Sequence, residues 1–342
     1  MRRSEASACD TPIALASRLT DRAGIGRVHA ISRLAGGNNN QLYRLDMDSG
    51  APLVLKGYFS DPRDGRDRLS TEWDFLDRAW QDGVRAIPQP VWRDRSAQAA
   101  LYSLLPGTKL AAAEIEAAHV DAAANFILAI NARPHPDSAS ASDACFCIAD
   151  HLAIVERRLS RLAALDPQAP NVVAATRFVA SRLRPAWDAV RTTLTREVRA
   201  LGLDMERRLT EAECCLSPSD FGFHNALAGK DGLVFLDFEY AGRDDPAKLV
   251  LDFFCQPQTP VPPAYRDRFT ARLAEGPWFD AAALERCRIL LDVCRIKWVC
   301  ILLNDFLPVG AARRSFAEAG AGDVRCATQL EKAAAKLGEI VV

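Results

Sequence analysis

The sequence predicts an α+β protein in two parts, a small antiparallel β-rich part over residues 1–105 and a larger, mainly α-helical part over 106–342. Three observations carry that expectation. Short apolar runs separated by strong turn signals crowd residues 27–105. Beyond Pro106-Gly107 strand patterns almost vanish for about a hundred residues, and apolar spacing of three and four takes over. The length, 342 residues, suits two domains at roughly 150 residues each.

Taken in order, the elements begin with a helix over Pro12 to Ala23. Strand runs follow at 27–34, 41–48 and 52–59, separated by the turns Gly36-Gly37-Asn38-Asn39-Asn40 and Asp48-Ser49-Gly50-Ala51-Pro52, and their economical arrangement is an antiparallel sheet. Leu69, Trp73, Leu76 and Trp80 mark one buried face of a helix over about 66–82, which Pro88 and Pro90 stop. Two more strands are expected at 91–95 and 99–105. Further helices are expected over 111–132, 144–165, 171–200 and 204–215. The segment 225–229 and the segment 233–238, joined by Lys230-Asp231-Gly232, form a hairpin in this reading, and the chain is helical again after Pro246.

Composition narrows the function. The chain is 49% hydrophobic and 25% charged, the balance of a folded globular protein and far from a disordered one. Forty-three basic residues against 44 acidic ones leave a formal charge of −1, which gives no electrostatic case for a nucleic-acid or polybasic membrane partner. No run of about 18 apolar residues offers a membrane span, and Met1 to Pro12 lacks the apolar core of a secretory signal. The ten cysteines are scattered, without a C-x-x-C pair or a Cys/His cluster, so a reducing, cytoplasmic setting is expected and a zinc site is not.

One segment carries chemistry. Asp220 and Asn225 stand five apart in the loop Leu216 to Asn225, and Asp237 follows twelve residues after Asn225, where the hairpin closes. Phosphoryl transfer needs such a set: a carboxylate to orient or deprotonate an attacking hydroxyl, and hard oxygen ligands for Mg²⁺. Taken singly, Asp and Asn in a loop more often cap turns. Upstream, Lys56 lies inside an apolar run, where an ammonium needs a partner, and Glu72 on the next helix supplies the opposite charge. The turn Gly36-Gly37-Asn38-Asn39-Asn40 precedes that lysine, and its small residues allow backbone N–H groups to approach phosphate oxygens.

In this order and spacing the residues resemble the small-molecule kinases of the protein-kinase-like fold, the aminoglycoside phosphotransferase and choline kinase branch, over roughly residues 30 to 255. Gly36 to Asn40 match that branch's Gly-Gly-x-x-Asn turn, Lys56 its strand lysine and Glu72 its helix glutamate. Pro218-Ser219-Asp220 and Asn225 match its catalytic loop, and Leu236-Asp237-Phe238-Glu239 its metal-binding run. The resemblance implies a two-lobed fold and transfer of the γ-phosphate of ATP, with Mg²⁺, to a hydroxyl of a small molecule. Lys56 and Glu72, with backbone at 36–40, would then bind the nucleotide. Asn225 and Asp237 would hold the metal, Asp220 would be the base, the adenine would sit near Ser103 to Gly107, and Asp252 would brace the catalytic loop.

Two departures bear on the reading, one of them the absence of the Gly-x-Gly-x-x-Gly loop of protein kinases, which the small-molecule branch often lacks. Pro218-Ser219 stands where the branch usually has His-Gly, and this motivates an alternative, a nucleotide-binding pseudokinase or scaffold. Only fourteen residues separate Asp237 from the apolar helix around Leu251, without Ala-Pro-Glu, which leaves no room for a protein-kinase activation segment and favours a small acceptor. A hydrolase triad of Ser217 or Ser219 with His224 fails for want of a Gly-x-Ser-x-Gly elbow.

Overall fold

A computed structural model describes residues 11–34, 40–134, 137–165, 172–317 and 322–340. The chain divides into two compact units, Met1–Pro106 with Arg313–Ala319, and Gly107–Ala312 with Gly320–Val342.

The first unit opens with α1 (Pro12–Ala23). Thr11 caps it through a side-chain bond from the Ala14 amide at 3.4 Å, proline occupies the first turn, and Gly24 ends it at φ 66°. Five strands follow, β1 (Val28–Arg33), β2 (Gln41–Met47), β3 (Leu53–Gly57), β4 (Pro90–Asp94) and β5 (Ala99–Ser103), in the spatial order β1-β2-β3-β5-β4, every pairing antiparallel. The strands expected from the turn signals are all present, in a single sheet. Leu45, Leu55 and Leu101 cover one face and pack with Ala16 and Leu19 of α1. Residues alternate along a strand, so Lys56 and Tyr102 project from the opposite face, where α2 (Arg68–Gln81) lies. Nothing in the sequence pattern places Phe316 with this unit, yet its ring centroid is 5.7 Å from that of Phe59.

The second unit is built on α3 (Ala117–Ile130), α4 (Ile148–Ala163), α5 (Val173–Phe178) and α6 (Arg184–Ala200). A π-helical turn, Val179–Leu183, joins the last two. Pro185 in the first turn of α6 has no N–H to donate, and the wider turn ahead of it absorbs the lost bond. The helix expected over 204–215 is not formed. Its backbone is taken up elsewhere: Ala149 N donates to Met205 O at 3.0 Å and Leu209 N to Phe146 O at 2.7 Å, pinning the segment to the start of α4. Only a 3₁₀ turn at Glu211–Glu213 remains, followed by β6 (Cys215–Ser217).

The hairpin is present as β7 (Ala226–Gly229) and β8 (Gly232–Phe235), and β9 (Gly242–Asp244) pairs with β6. The helices α7 (Pro246–Cys255), α8 (Arg266–Leu273), α9 (Ala281–Ile289), α10 (Leu291–Leu302), α11 (Pro308–Ala317) and α12 (Gly322–Leu337) complete the chain. Trp187, Leu183, Val299 and Leu303 lie in one core of this unit. A second is aromatic: Phe126 stacks on Phe235 at 4.4 Å, Phe221 on Phe253 at 5.2 Å, and Phe253 on Phe269 at 4.6 Å. No described helix is long and apolar enough to cross a membrane, and every described cysteine is a free thiol.

Candidate active site

In the first unit, Lys56 Nζ donates to Glu72 Oε2 at 2.6 Å, with both side chains more than nine-tenths buried. The register explains the space it occupies, because Lys56 faces Ala100 across β3–β5 and Leu42 across β2–β3. Burying two charges costs several kcal/mol each unless they are closely paired, and this pair is further bonded: the Tyr58 hydroxyl donates to Glu72 Oε2 at 2.8 Å. Asn40 is buried as well, and its Oδ1 accepts from the Phe59 amide at 3.4 Å. Gly36, Gly37, Asn38 and Asn39 lie outside the described residues.

In the second unit the loop after β6 is fixed by its own backbone and by two buried rings. Phe221 and Phe223, on either side of Gly222, sink into the aromatic core. Gly222 is required by close approach, since a Cβ there would lie 2.7 Å from Nδ1 of His224. The other ring nitrogen of His224 is 3.2 Å from Asp220 Oδ1, and the Asn225 amide donates to the Asp220 carbonyl at 3.0 Å. Ser219 adopts φ 67°, a left-handed conformation that serine tolerates poorly, and its amide donates to Ser217 Oγ at 3.0 Å. Burial pushes the Asp220 carboxyl up, but the charge and hydrogen bond of His224, helped by Lys297, hold it below the usual carboxylate range. It is a carboxylate throughout the neutral range.

Hairpin pairing brings the remaining two residues to one end. Leu236 N donates to Asn225 O at 2.8 Å, one step beyond the last β7–β8 pair, so Asp237 follows the residue opposite Asn225. Asp237 adopts φ 67°. With its amide group donating to Asp220, the Asn225 side chain keeps an oxygen that accepts no bond from the described residues. That oxygen and the Asp237 carboxylate are hard donors. Among the described residues no group of three or more His, Cys, Asp or Glu could hold a metal ion. One amide oxygen and one carboxylate leave most of a cation's coordination to waters and to oxygens from outside the chain.

The structure adds two features that sequence reasoning does not reach. His224, which the sequence offers only as a hydrolase candidate, bonds Asp220 through its ring, and the spacing of four is the one signal of that tie. Asp252, expected to brace the catalytic loop, bonds instead to Lys297, to Lys248 at 3.3 Å, to the Trp298 indole at 3.1 Å and to Cys294 at 3.6 Å. Lys248 in turn donates to Asp244 at 2.7 Å, which makes a fully buried chain of alternating charge. Beside it Asp245 caps α7 and accepts from Arg286 at 2.9 Å, with His151 at 3.2 Å.

The sequence profile of the phosphotransferase enzyme family matches residues 30–285, a span that holds every residue of both sets. The chain belongs to this family. This phosphotransferase moves the γ-phosphate of ATP to a hydroxyl of a small molecule. No curated protein matches the sequence significantly. Among solved structures, it is similar to a choline kinase from Streptococcus pneumoniae, at 14% identity over 94% of this chain and 98% of that one, with a TM-score of 0.59. A spectinomycin phosphotransferase in complex with ADP and its antibiotic is 12% identical over 91% and 94% of the two chains, at a TM-score of 0.59. An amicoumacin kinase in complex with AMP-PNP and Ca²⁺ is 14% identical over 90% and 88%, at 0.55. At such identities these likenesses speak for the fold, and the two-lobed kinase-like architecture is the phosphotransferase's own.

Proposed function

We propose that Lys56, steadied by Glu72, binds the α- and β-phosphates of ATP, and that Asp220 orients the acceptor hydroxyl and accepts its proton. The observation that carries this reading is the buried pair of Lys56, on an otherwise apolar strand, with Glu72 of α2, a costly arrangement that a phosphate site explains. Backbone around 36–40 covers the phosphates, and the adenine pairs with backbone near Ser103 to Gly107. Asn225 and Asp237 hold Mg²⁺, which when bound neutralises phosphate charge. The Asp220 carboxylate is supported as the base by its ionised state, its tie to His224 and the loop geometry that fixes it. Its acceptor is a hydroxyl-bearing small molecule, and the free thiols fit a cytoplasmic setting.

Mg·ATP should raise the melting temperature, since a ligand binding only the folded state at 100 times its Kd adds about 2.7 kcal/mol. Lys56→Met should remove most of that shift. A metabolite screen coupled to ADP release then finds the acceptor. Calorimetry showing no nucleotide binding at millimolar ATP would sink the assignment, whereas ATP binding with no acceptor ever phosphorylated would favour a nucleotide-binding scaffold.

A further inference from the structure

Tyr58 and Tyr102 have no place in the machinery above, yet both are at least nine-tenths buried and both hydroxyls are committed to it. Tyr58 OH lies 2.8 Å from Glu72 Oε2 and 2.6 Å from Tyr102 OH. The direction of the protons follows from chemistry. An ionised Glu72 can only accept, so the Tyr58 proton points to it, and the Tyr58 oxygen is then left to accept from Tyr102. Burial, followed by the charge of Glu72, pushes the Tyr58 hydroxyl well above its ordinary range, so that proton stays in place at every working pH.

We propose that Tyr58, backed by Tyr102, is a positioning residue for the nucleotide lysine: the two hydroxyls form a relay that locks the carboxylate of Glu72, and through it the ammonium of Lys56, in the phosphate-binding position. This rests on the reading of Lys56 as a phosphate ligand. The geometry gives the relay its effect. Glu72 sits on α2, Tyr58 follows β3 two residues after Lys56 on the same side of the strand, and Tyr102 stands on the neighbouring β5. A glutamate bonded to lysine alone keeps freedom about its three side-chain torsions. Accepting at the same oxygen, Oε2, from Lys56 and from Tyr58, it has that freedom restricted to conformations that satisfy both donors. The Tyr58 ring also lies 5.1 Å from Lys56 Nζ and closes one side of the ammonium's path, and the Tyr102 ring rests against Trp73 of α2 at 6.1 Å. Phenylalanine would fill either ring position equally well. Only positioning of the carboxylate uses the hydroxyls.

The test compares ligands that do and do not reach the lysine. On the intact chain, calorimetry of Tyr58→Phe should show Mg·ATP and Mg·ADP binding about 10- to 100-fold more weakly, the scale of one lost hydrogen bond to a charged group, with adenosine affinity within about twofold of wild type. Tyr102→Phe should weaken ATP by about two- to fourfold and add nothing in a Tyr58→Phe background, because the relay is already cut. In a Glu72→Gln background Tyr58→Phe should cost less than about twofold. Equal weakening of ATP and adenosine would mean general loosening of the sheet and overturn the proposal, as would unchanged ATP affinity in Tyr58→Phe. Lys56→Met separates the two readings. If it binds ATP normally, the lysine assignment falls and takes the relay with it; if it loses ATP while Tyr58→Phe does not, the relay alone is wrong.

Discussion

The two units hold their functional side chains by opposite means. In the first, Lys56 and Glu72 sit on ordinary strand and helix backbone, and it is side-chain bonding, 2.6 Å between them and 2.8 Å from Tyr58, that sets their positions. In the second, backbone does the positioning: Ser219 and Asp237 both take φ 67°, Asn225 is tied through Leu236, and Phe221 and Phe223 anchor the loop from below. A side-chain pair can be loosened one group at a time and fail by degrees. Strained backbone persists only where the surroundings over-determine it. The first region should therefore respond to substitution in ligand affinity, and the Asp220 loop of the second in turnover or in stability.

The sharpest division is expected at Asp220. Asp220→Asn keeps the size and the carbonyl that His224 faces but removes proton-accepting capacity. Turnover on the acceptor should fall on the order of 10²- to 10⁴-fold, with ATP affinity within about twofold, because Lys56 and Glu72 belong to the other unit and are untouched. Paired calorimetry and transfer rates check it. Turnover surviving within a factor of about three would remove Asp220 as the base and break the contrast between the regions.

Next in size is the buried scaffold beneath the loop. Asp245 caps α7 through the Ala247 amide and holds Arg286 and His151, and it is fully buried. Burial raises its carboxyl, but the hydrogen bonds of His151 and Arg286 outweigh this and bring it down to about 2. Asp245→Asn should therefore destabilise the protein by about 3 kcal/mol, since it leaves a buried guanidinium uncompensated. A depressed carboxyl contributes stability that is complete above its unfolded value, about 3.9, and that is lost as pH falls toward 2. The difference in stability between wild type and variant should thus be flat from neutral pH to about 5 and shrink below about 4. Taking the difference matters, because Asp244 next to it is pushed up by burial against the pull of Lys248, and its contribution runs the other way. A difference that stayed constant down to about pH 2.5 would contradict the ion-pair account.

What the sequence discloses follows the same contrast. Strand positions, the hairpin and the lysine–glutamate pair are legible because period, turn residues and an isolated charge on an apolar run are local signals. The segment 204–215 departs from the helix its apolar spacing predicts because docking of Met205 and Leu209 against the start of α4 decides its course. β6 and β9, three residues each, are too short to show a period. Tyr58 and Tyr102 give no sign of their role, since 44 residues separate hydroxyls that only the β3–β5 register brings within 2.6 Å. The partners of Asp252 are hidden in the same way, with Lys297 lying 45 positions away on α10.

The smallest effect tests the backbone side of the comparison directly. Ser219 stands where the resembled family has glycine, at φ 67°, and its hydroxyl makes one long contact, donating to Ser142 O at 3.4 Å. A non-glycine residue in this region costs about 1 to 2 kcal/mol, while glycine returns part of that, about 0.4 to 1 kcal/mol, as extra freedom of the unfolded chain. Ser219→Gly should accordingly leave stability unchanged or raise it by up to about 1 kcal/mol, with turnover within about twofold of wild type. Ser219→Ala keeps the strain and removes only the hydroxyl, so it should fall slightly below wild type. Chemical denaturation of the three proteins orders them as glycine, serine, alanine if backbone conformation outweighs the hydroxyl contact. If glycine instead destabilises by more than about 1 kcal/mol and alanine does the same, the hydroxyl contact with Ser142 fixes the loop, and side-chain bonding governs the second region as it governs the first.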